Sequence, residues 1–349
     1  MVIKMDDMTS SQNAEQPQES SLDAERHVER GFKYIHEHKL YKAIEEFNEA
    51  IKLKPDYAIA YHRRGLAYDL RGFANNCKGD YDKAINDYDK AIELEPEFTL
   101  AYTCRAHVLS EKGKYDKAVE DCSKAINLEP GDGHLFCRRG DIYQSKGDYD
   151  KAVEDYSKAI ELDEDCYFAY YHSVIVYRRK GDYDKAIDVC NKVIELKPNG
   201  AEAYYWRGLA YHEKGDFDKA IEDHSISLNL NPGQTDVYCS RGLACYCKGD
   251  YGKAIEDYST AIRRKPDRAD TYYNRGLAYF CMGEYQKSWK DIRKALSLGH
   301  KIDHQFMKDL KKALNRWRKS QISFIKATKP DTKPGTKSGT ASGAGMNQG

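Results

Sequence analysis

The stretch GDYDKAVEDYSKAIELDEDCYFAYYHSVIVYRRKGDYDKAI, residues 147 to 187, opens and closes on nearly the same run, and Gly147 and Gly181 stand 34 residues apart. A period of that length marks a stacked array of small units rather than one closed core, because each unit is too short to bury its own apolar face. Reading outward, GDYDKA recurs at Gly79, and the variants GKYDKA and GDFDKA lie at Gly113 and Gly215. Gly249 and Gly283 continue the 34-residue step.

The period sets a register of eight units: 24–57, 58–98, 99–132, 133–166, 167–200, 201–234, 235–268 and 269–302, of which seven are 34 residues long. Each reads as two amphipathic helices. The first ends at the turn glycine, which takes left-handed geometry without a Cβ penalty and so suits a helix C-terminus. The second ends near Pro55, Pro96, Pro130, Pro198, Pro232 or Pro266, because the residue before a proline is turned away from helical geometry. Small residues sit where the two helices must approach: Gly31, Gly65, Gly140, Gly208, Gly242 and Gly276 at the eighth position, with Ala43, Ala84, Ala118, Ala152, Ala186, Ala220 and Ala254 in the second helix. Tyr34, Tyr68, Tyr143, Tyr177, Tyr211 and Tyr279 follow three residues after the glycine position.

These residues resemble the tetratricopeptide-repeat (TPR) family, over residues 24–302. The resemblance implies an all-α fold: a TPR solenoid, a right-handed superhelix of eight helix-turn-helix repeats whose concave groove is lined by the first helix of each pair. It also implies a non-catalytic scaffold or adaptor that binds a protein or peptide. Departures from the family pattern are few. Ala106 and Val174 replace two of the glycines, the last repeat has Ser288 for the alanine and His300 for the proline, and the leucine before the glycine is Arg in seven units.

Those arginines carry an inference of their own. Arg30, Arg64, Arg105, Arg139, Arg207, Arg241 and Arg275 share the seventh position, and Glu46, Asp87, Asp121, Asp155, Asp223, Asp257 and Asp291 share the twenty-third. The fifth unit loses both at once, with Ser173 and Val189. Joint loss is what a bridge between the two helices of one repeat predicts.

Composition narrows the function. Lys plus Arg equals Asp plus Glu, 56 each, which argues against a nucleic-acid partner. The ends differ in sign, with seven acids against three bases in residues 1–30 and eight bases against two acids in 301–326, so end-to-end self-association is the alternative reading. A non-catalytic subunit of an enzyme complex is a further one. No apolar run is long enough for membrane insertion and no hydrophobic leader core opens the sequence, so a cytoplasmic location is expected. The ten cysteines lie at irregular spacings and read as reduced thiols. No phosphate loop, HExxH or GxSxG motif is present, and neither a metal nor a cofactor is expected.

Around the array, residues 1–23 and 328–349 are expected to be disordered, and 303–327 to form a basic capping helix with Phe306, Leu310, Ala313, Leu314 and Trp317 at helical spacing. The second unit carries seven extra residues between Tyr68 and Ala84. Gly72, Asn75 and Asn76 favour a protruding loop there.

The partner is expected on the first helices of units five to eight, at the fifth, ninth and twelfth positions. These are Tyr171, Ile175, Arg178, Tyr205, Leu209, His212, Leu243, Tyr246, Tyr273, Leu277 and Phe280. The first four units put His62, His107, Cys137 and Asp141 at equivalent places, a more polar set. The fifth and ninth positions hold neither Lys nor Asn in any unit, so a carboxylate clamp for chaperone tails is not expected.

Overall fold

The computed structural model describes residues 16–75 and 78–327, and all its regular structure among them is helical. Eight helix pairs follow one another: α1 (Gln16–His36) and α2 (Leu40–Leu53), α3 (Ala58–Asn75) and α4 (Lys78–Leu94), α5 (Thr99–Glu111) and α6 (Tyr115–Leu128), α7 (Gly133–Lys146) and α8 (Tyr149–Leu162), α9 (Tyr167–Lys180) and α10 (Tyr183–Leu196), α11 (Ala201–Lys214) and α12 (Phe217–Leu230), α13 (Thr235–Lys248) and α14 (Tyr251–Arg264), and α15 (Ala269–Cys281) and α16 (Tyr285–Ser297). A last helix, α17 (His304–Ala327), covers α16 with buried Leu310 and Leu314. Two compact units divide the chain at Leu230 and Asn231: six pairs form the first, and two pairs with α17 form the second. The architecture is all-α, built of successive helix-turn-helix repeats.

The turn glycine works as its chemistry requires. Gly147 has φ +88°, its N–H donates to Gln144 O at 3.1 Å, and Asp148 N–H donates to Tyr143 O at 2.9 Å, which closes the last turn of α7.

Within a repeat, the eighth and twenty-fourth positions meet. A Cβ built on Gly140 would stand 2.7 Å from Tyr156 Cε1, and Gly65, Gly208 and Gly242 lie equally close to Tyr88, His224 and Tyr258. Each glycine therefore makes room for a large buried ring, worth about 2 kcal/mol of burial apiece for the tyrosines. In the repeats where the glycine is missing, the ring is missing too: Ala106 faces a repeat with Cys122, and Val174 packs with Cys190, all four buried. The departure at Val174 is thus half of a roughly volume-conserving exchange, while Ala106 with Cys122 fills part of the same space.

The arginine bridge forms as the sequence predicts, and it is bidentate. Arg139 Nε and Nη2 donate to Asp155 at 2.9 and 2.8 Å, and the same fork recurs at Arg64–Asp87, Arg105–Asp121, Arg207–Asp223, Arg241–Asp257 and Arg275–Asp291. The six aspartates are buried and the arginines half-buried. A second feature was not expected. The remaining guanidinium nitrogen reaches back to the preceding repeat, Arg139 Nη1 to Ser123 Oγ at 2.9 Å and Arg64 Nη1 to Asn48 Oδ1 at 2.7 Å, so one side chain ties two helices of its own repeat to a third. Arg30 at the start is looser, 56% exposed, with His27 also on Glu46 at 2.7 Å.

Two expectations need correction. The seven extra residues of the second repeat make no protruding loop over the described residues; they lengthen both helices, α3 to 18 residues and α4 to 17 against 14 in α8. The reason is a bidentate bridge from Arg71 to Asp80 at 2.7 and 2.8 Å, with the guanidinium over Tyr41 and Tyr68, which outweighs the poor helix propensity of Gly72 and Asn75. Asn76 lies outside the described residues. Residues 16–23, expected to be disordered, are the opening turns of α1; residues 1–15 and 328–349 lie outside the described residues.

Candidate partner-binding faces

The first helix of each pair presents its second, fifth, sixth, ninth and twelfth positions on one face, since these recur at helical spacing. In the first unit, Tyr171 is 38% exposed, and Ile175, Arg178, Tyr205, Leu209 and His212 are half-buried. Tyr171 packs its ring 4.9 Å from that of Trp206, which joins α9 to α11. Arg178 is engaged: Nε and Nη2 donate to Glu213 at 2.8 and 2.6 Å. Tyr205 rests 5.7 Å from the buried His224 ring, and His212 5.4 Å from Phe217. Burial lowers the His212 pKa.

In the second unit, Leu243, Tyr246, Tyr273, Leu277 and Phe280 are all half-buried. Phe306 of α17 stands 5.4 Å from Phe280 and 6.3 Å from Tyr273, and His300 stacks 4.4 Å from Tyr273. The capping helix thus covers part of the aromatic row on the last repeat. Tyr246 lies 5.5 Å from Tyr251, with its hydroxyl 3.7 Å from Cys281 Sγ.

Further exposed apolar groups of the first-helix face sit at the second position. Leu100 is 58% exposed and Phe168 46%, both at the second position, and Ile59 holds the same place in the second repeat. Leu100 and Phe168 line a cleft of about 420 Å³ with Thr103, Cys137, Arg138 and Asp141. Asp141 accepts from the Tyr156 hydroxyl at 2.8 Å and lies 3.4 Å from His172 Nδ1; burial raises its pKa and the Tyr156 bond opposes this. Beside it, His107 Nδ1 lies 3.3 Å from Asp69, whose hydrogen bond raises the imidazole pKa. His62 is buried against Tyr88 and Phe98, and burial pulls it down to about 4. Sequence reading by the fifth, ninth and twelfth positions passed over the second and sixth, which supply Leu100, Arg138, Phe168 and Trp206. The same helical spacing that selected the first set contains the second.

Among the described residues no group of three His, Cys, Asp or Glu side chains gathers to hold a metal, and no helix is long and apolar enough to cross a membrane.

Profiles described as TPR repeat match residues 34–72, 77–113, 176–215 and 242–283, and profiles described as tetratricopeptide repeat match 99–132, 135–166, 201–234 and 269–298, together more than half of the chain. No curated protein matches the sequence. Among solved structures, the chain is similar in fold to a tetratricopeptide repeat protein from Parabacteroides merdae, with 19% identity, TM-score 0.53, and coverage of 74% of this chain and 99% of that one. The C-terminal part of a TPR repeat-containing protein from Cytophaga hutchinsonii gives 19% identity and TM-score 0.58, over 71% and 98% of the two chains. Yeast Tom70 gives 16% identity and TM-score 0.54, over 93% of this chain and 68% of its own.

Proposed function

The chain belongs to the tetratricopeptide repeat family, and we propose that it is a non-catalytic interaction scaffold which captures a partner polypeptide on the first-helix face of its repeats. The observation that carries this reading is the set of solvent-facing apolar side chains in the first unit, Leu100 and Phe168 lining a cleft with Arg138 and Asp141, and Tyr171 on the same helix as Phe168. Single exposed apolar groups are ordinary, but Leu100 and Phe168 hold the second position of α5 and α9 and line one cleft, with Tyr171 one turn beyond Phe168, and aromatic groups of this kind are favoured anchors for a partner. Tyr205, Leu209, Ile175 and His212 continue the row, and Arg178, already held by Glu213, shapes it rather than pairing with the partner.

In the second unit, Leu243, Tyr246 and Leu277 remain as contacts of the same type, while Tyr273 and Phe280 serve the packing of α17 first. The cytoplasm suits the nine described cysteines, all free thiols.

The test compares the full chain with F168A/Y171A/Y205A in affinity capture from its source cells, with helicity and melting measured in parallel. Loss of a partner that the parent retains, at unchanged melting, supports the reading. Equal capture by the two proteins removes the face from the binding surface.

A further inference from the structure

The bridge between the two helices of a repeat roofs a cleft on the second-helix side, and this cleft is seen in both units. In repeat three, Tyr102, Arg105, Val119, Glu120, Asp121, Ser123 and Lys124 line it; in repeat eight, the same positions are Tyr272, Arg275, Trp289, Lys290, Asp291, Arg293 and Lys294, around about 730 Å³. The charge balance differs. Two basic and two acidic residues line the cleft of repeat three, whereas four basic residues face one carboxylate in repeat eight. That carboxylate, Asp291, is held by Arg275 at 2.6 and 2.9 Å, and the third nitrogen of Arg275 is used on Ser259 Oγ at 2.9 Å. Lys290, Arg293 and Lys294 are exposed and make no ion pair or hydrogen bond through their side chains among the described residues.

The position of this repeat explains how its cleft was freed. Where the next repeat has the arginine, the twenty-fifth position supplies it with an acceptor, as Asn48, Asp89, Ser123, Asn191 and Ser259 do. Helix α17, not a ninth pair, follows repeat eight, so Arg293 has no such duty. The twenty-second position is acidic in six of the other seven repeats and is Lys290 here; the twenty-first is aliphatic in all seven and is Trp289 here. A surface built only for solubility gains nothing from a half-buried indole set among four cations. Lys311 of α17 adds another cation 6.0 Å from the indole centroid.

We propose that this cleft docks an acidic peptide segment of a partner protein, one that sets an apolar side chain against Trp289 and its carboxylates on Lys290, Arg293 and Lys294. Charge complementarity and the indole together define that ligand. A peptide is favoured over nucleic acid because the chain as a whole is neutral, with 56 charges of each sign, and the cleft is a local pocket centred on one repeat rather than a groove that tracks a backbone. The site lies on the second-helix side and stands independently of the first-helix face.

The experiment is fluorescence anisotropy of a fluorescein-labelled peptide of alternating glutamates and leucines against the full chain. The variant W289V/K290E/R293S carries the residues that repeat three uses at the same positions. Saturable binding is expected, weakened about tenfold or more in the variant, lost with a glutamine-for-glutamate peptide, and reduced by salt. R293S alone, which keeps Trp289 and Lys290 in place, gives a smaller loss in the same direction. Absence of binding, or equal affinity of parent and both variants, overturns the proposal. So does a single-stranded oligonucleotide of equal charge that binds more tightly and is lost in the same variant.

Discussion

The fourth and fifth repeats solve one packing problem in two ways. In repeat four, Gly140 makes room for the ring of Tyr156, and Arg139 bridges to buried Asp155 and back to Ser123. In repeat five, Val174 meets Cys190, while Ser173 and Val189 stand where the bridge would be. Neither pair of helices is left with a buried charge lacking its partner. What the period holds fixed is the summed volume and the polar satisfaction at two facing places, and the residue types follow from that.

The most severe way to break this comparison is to remove half of the polar solution. Arg139→Met leaves Asp155, 7% exposed at its side chain, without its fork, and is expected to cost about 3 kcal/mol in denaturant unfolding. Adding Asp155→Val, which gives the fourth repeat the apolar character of the fifth, is expected to recover more than half of that loss. A double variant as unstable as the single one would show that the fifth repeat relies on something other than apolar replacement.

The steric half is next in size. Gly140→Val puts a side chain where Tyr156 Cε1 already stands 2.7 Å from the position of a Cβ, and is expected to cost about 2 to 3 kcal/mol. Tyr156→Cys added to it reproduces the Val and Cys of repeat five and is expected to restore part of the stability, with the hydroxyl contact to Asp141 given up. Thermal melts of the two singles and the double form the cycle that reads this coupling.

Sequence periodicity reveals the helix pairs because 34-residue repetition multiplies a weak pattern eight times, and the Arg–Asp bridge was visible because Ser173 and Val189 depart together. Other features depend on contacts that no single position announces. Gly72 and Asn75 suggested a loop, and the Arg71–Asp80 bridge, made between residues nine apart, overrode them. Phe306 reads as a capping residue in sequence, but its place over Tyr273 and Phe280 appears only in three dimensions. The exposed Leu100 and Phe168 were missed because only three of the positions on that face were followed.

A third prediction compares the fifth position in early and late repeats, buried His62 against exposed Tyr171. Burial lowers the His62 pKa to about 4, with Arg63 adding to the effect, so the folded state favours the neutral ring. The group contributes stability that is complete above the unfolded value of about 6.5 and is lost as pH falls toward 4. The loss is expected to be about 2 to 3 kcal/mol, and His62→Phe should flatten that part of the stability profile. His107 acts with the opposite sign: its raised pKa stabilises the fold below about 6.5 and the contribution fades as pH rises.

The smallest expected effect concerns a second set of charge pairs that shares the 34-residue step. Lys112 pairs with Asp82, Lys146 with Asp116, Lys180 with Asp150 and Lys214 with Asp184, each lysine closing a first helix and each aspartate opening the second helix of the preceding repeat. By count these contacts join repeats as regularly as the arginines do. Their surroundings differ, since Asp116 is 82% exposed where Asp155 is 7%. Water and salt screen the exposed pair, and holding a lysine in one rotamer offsets much of the attraction. Lys146→Ala is therefore expected to change unfolding free energy by no more than about 0.5 kcal/mol, and by nothing measurable in high salt. A loss approaching that of Arg139→Met would mean that repeat-to-repeat stacking is governed by the exposed lysine row, and that the buried arginine fork serves only the inside of each repeat.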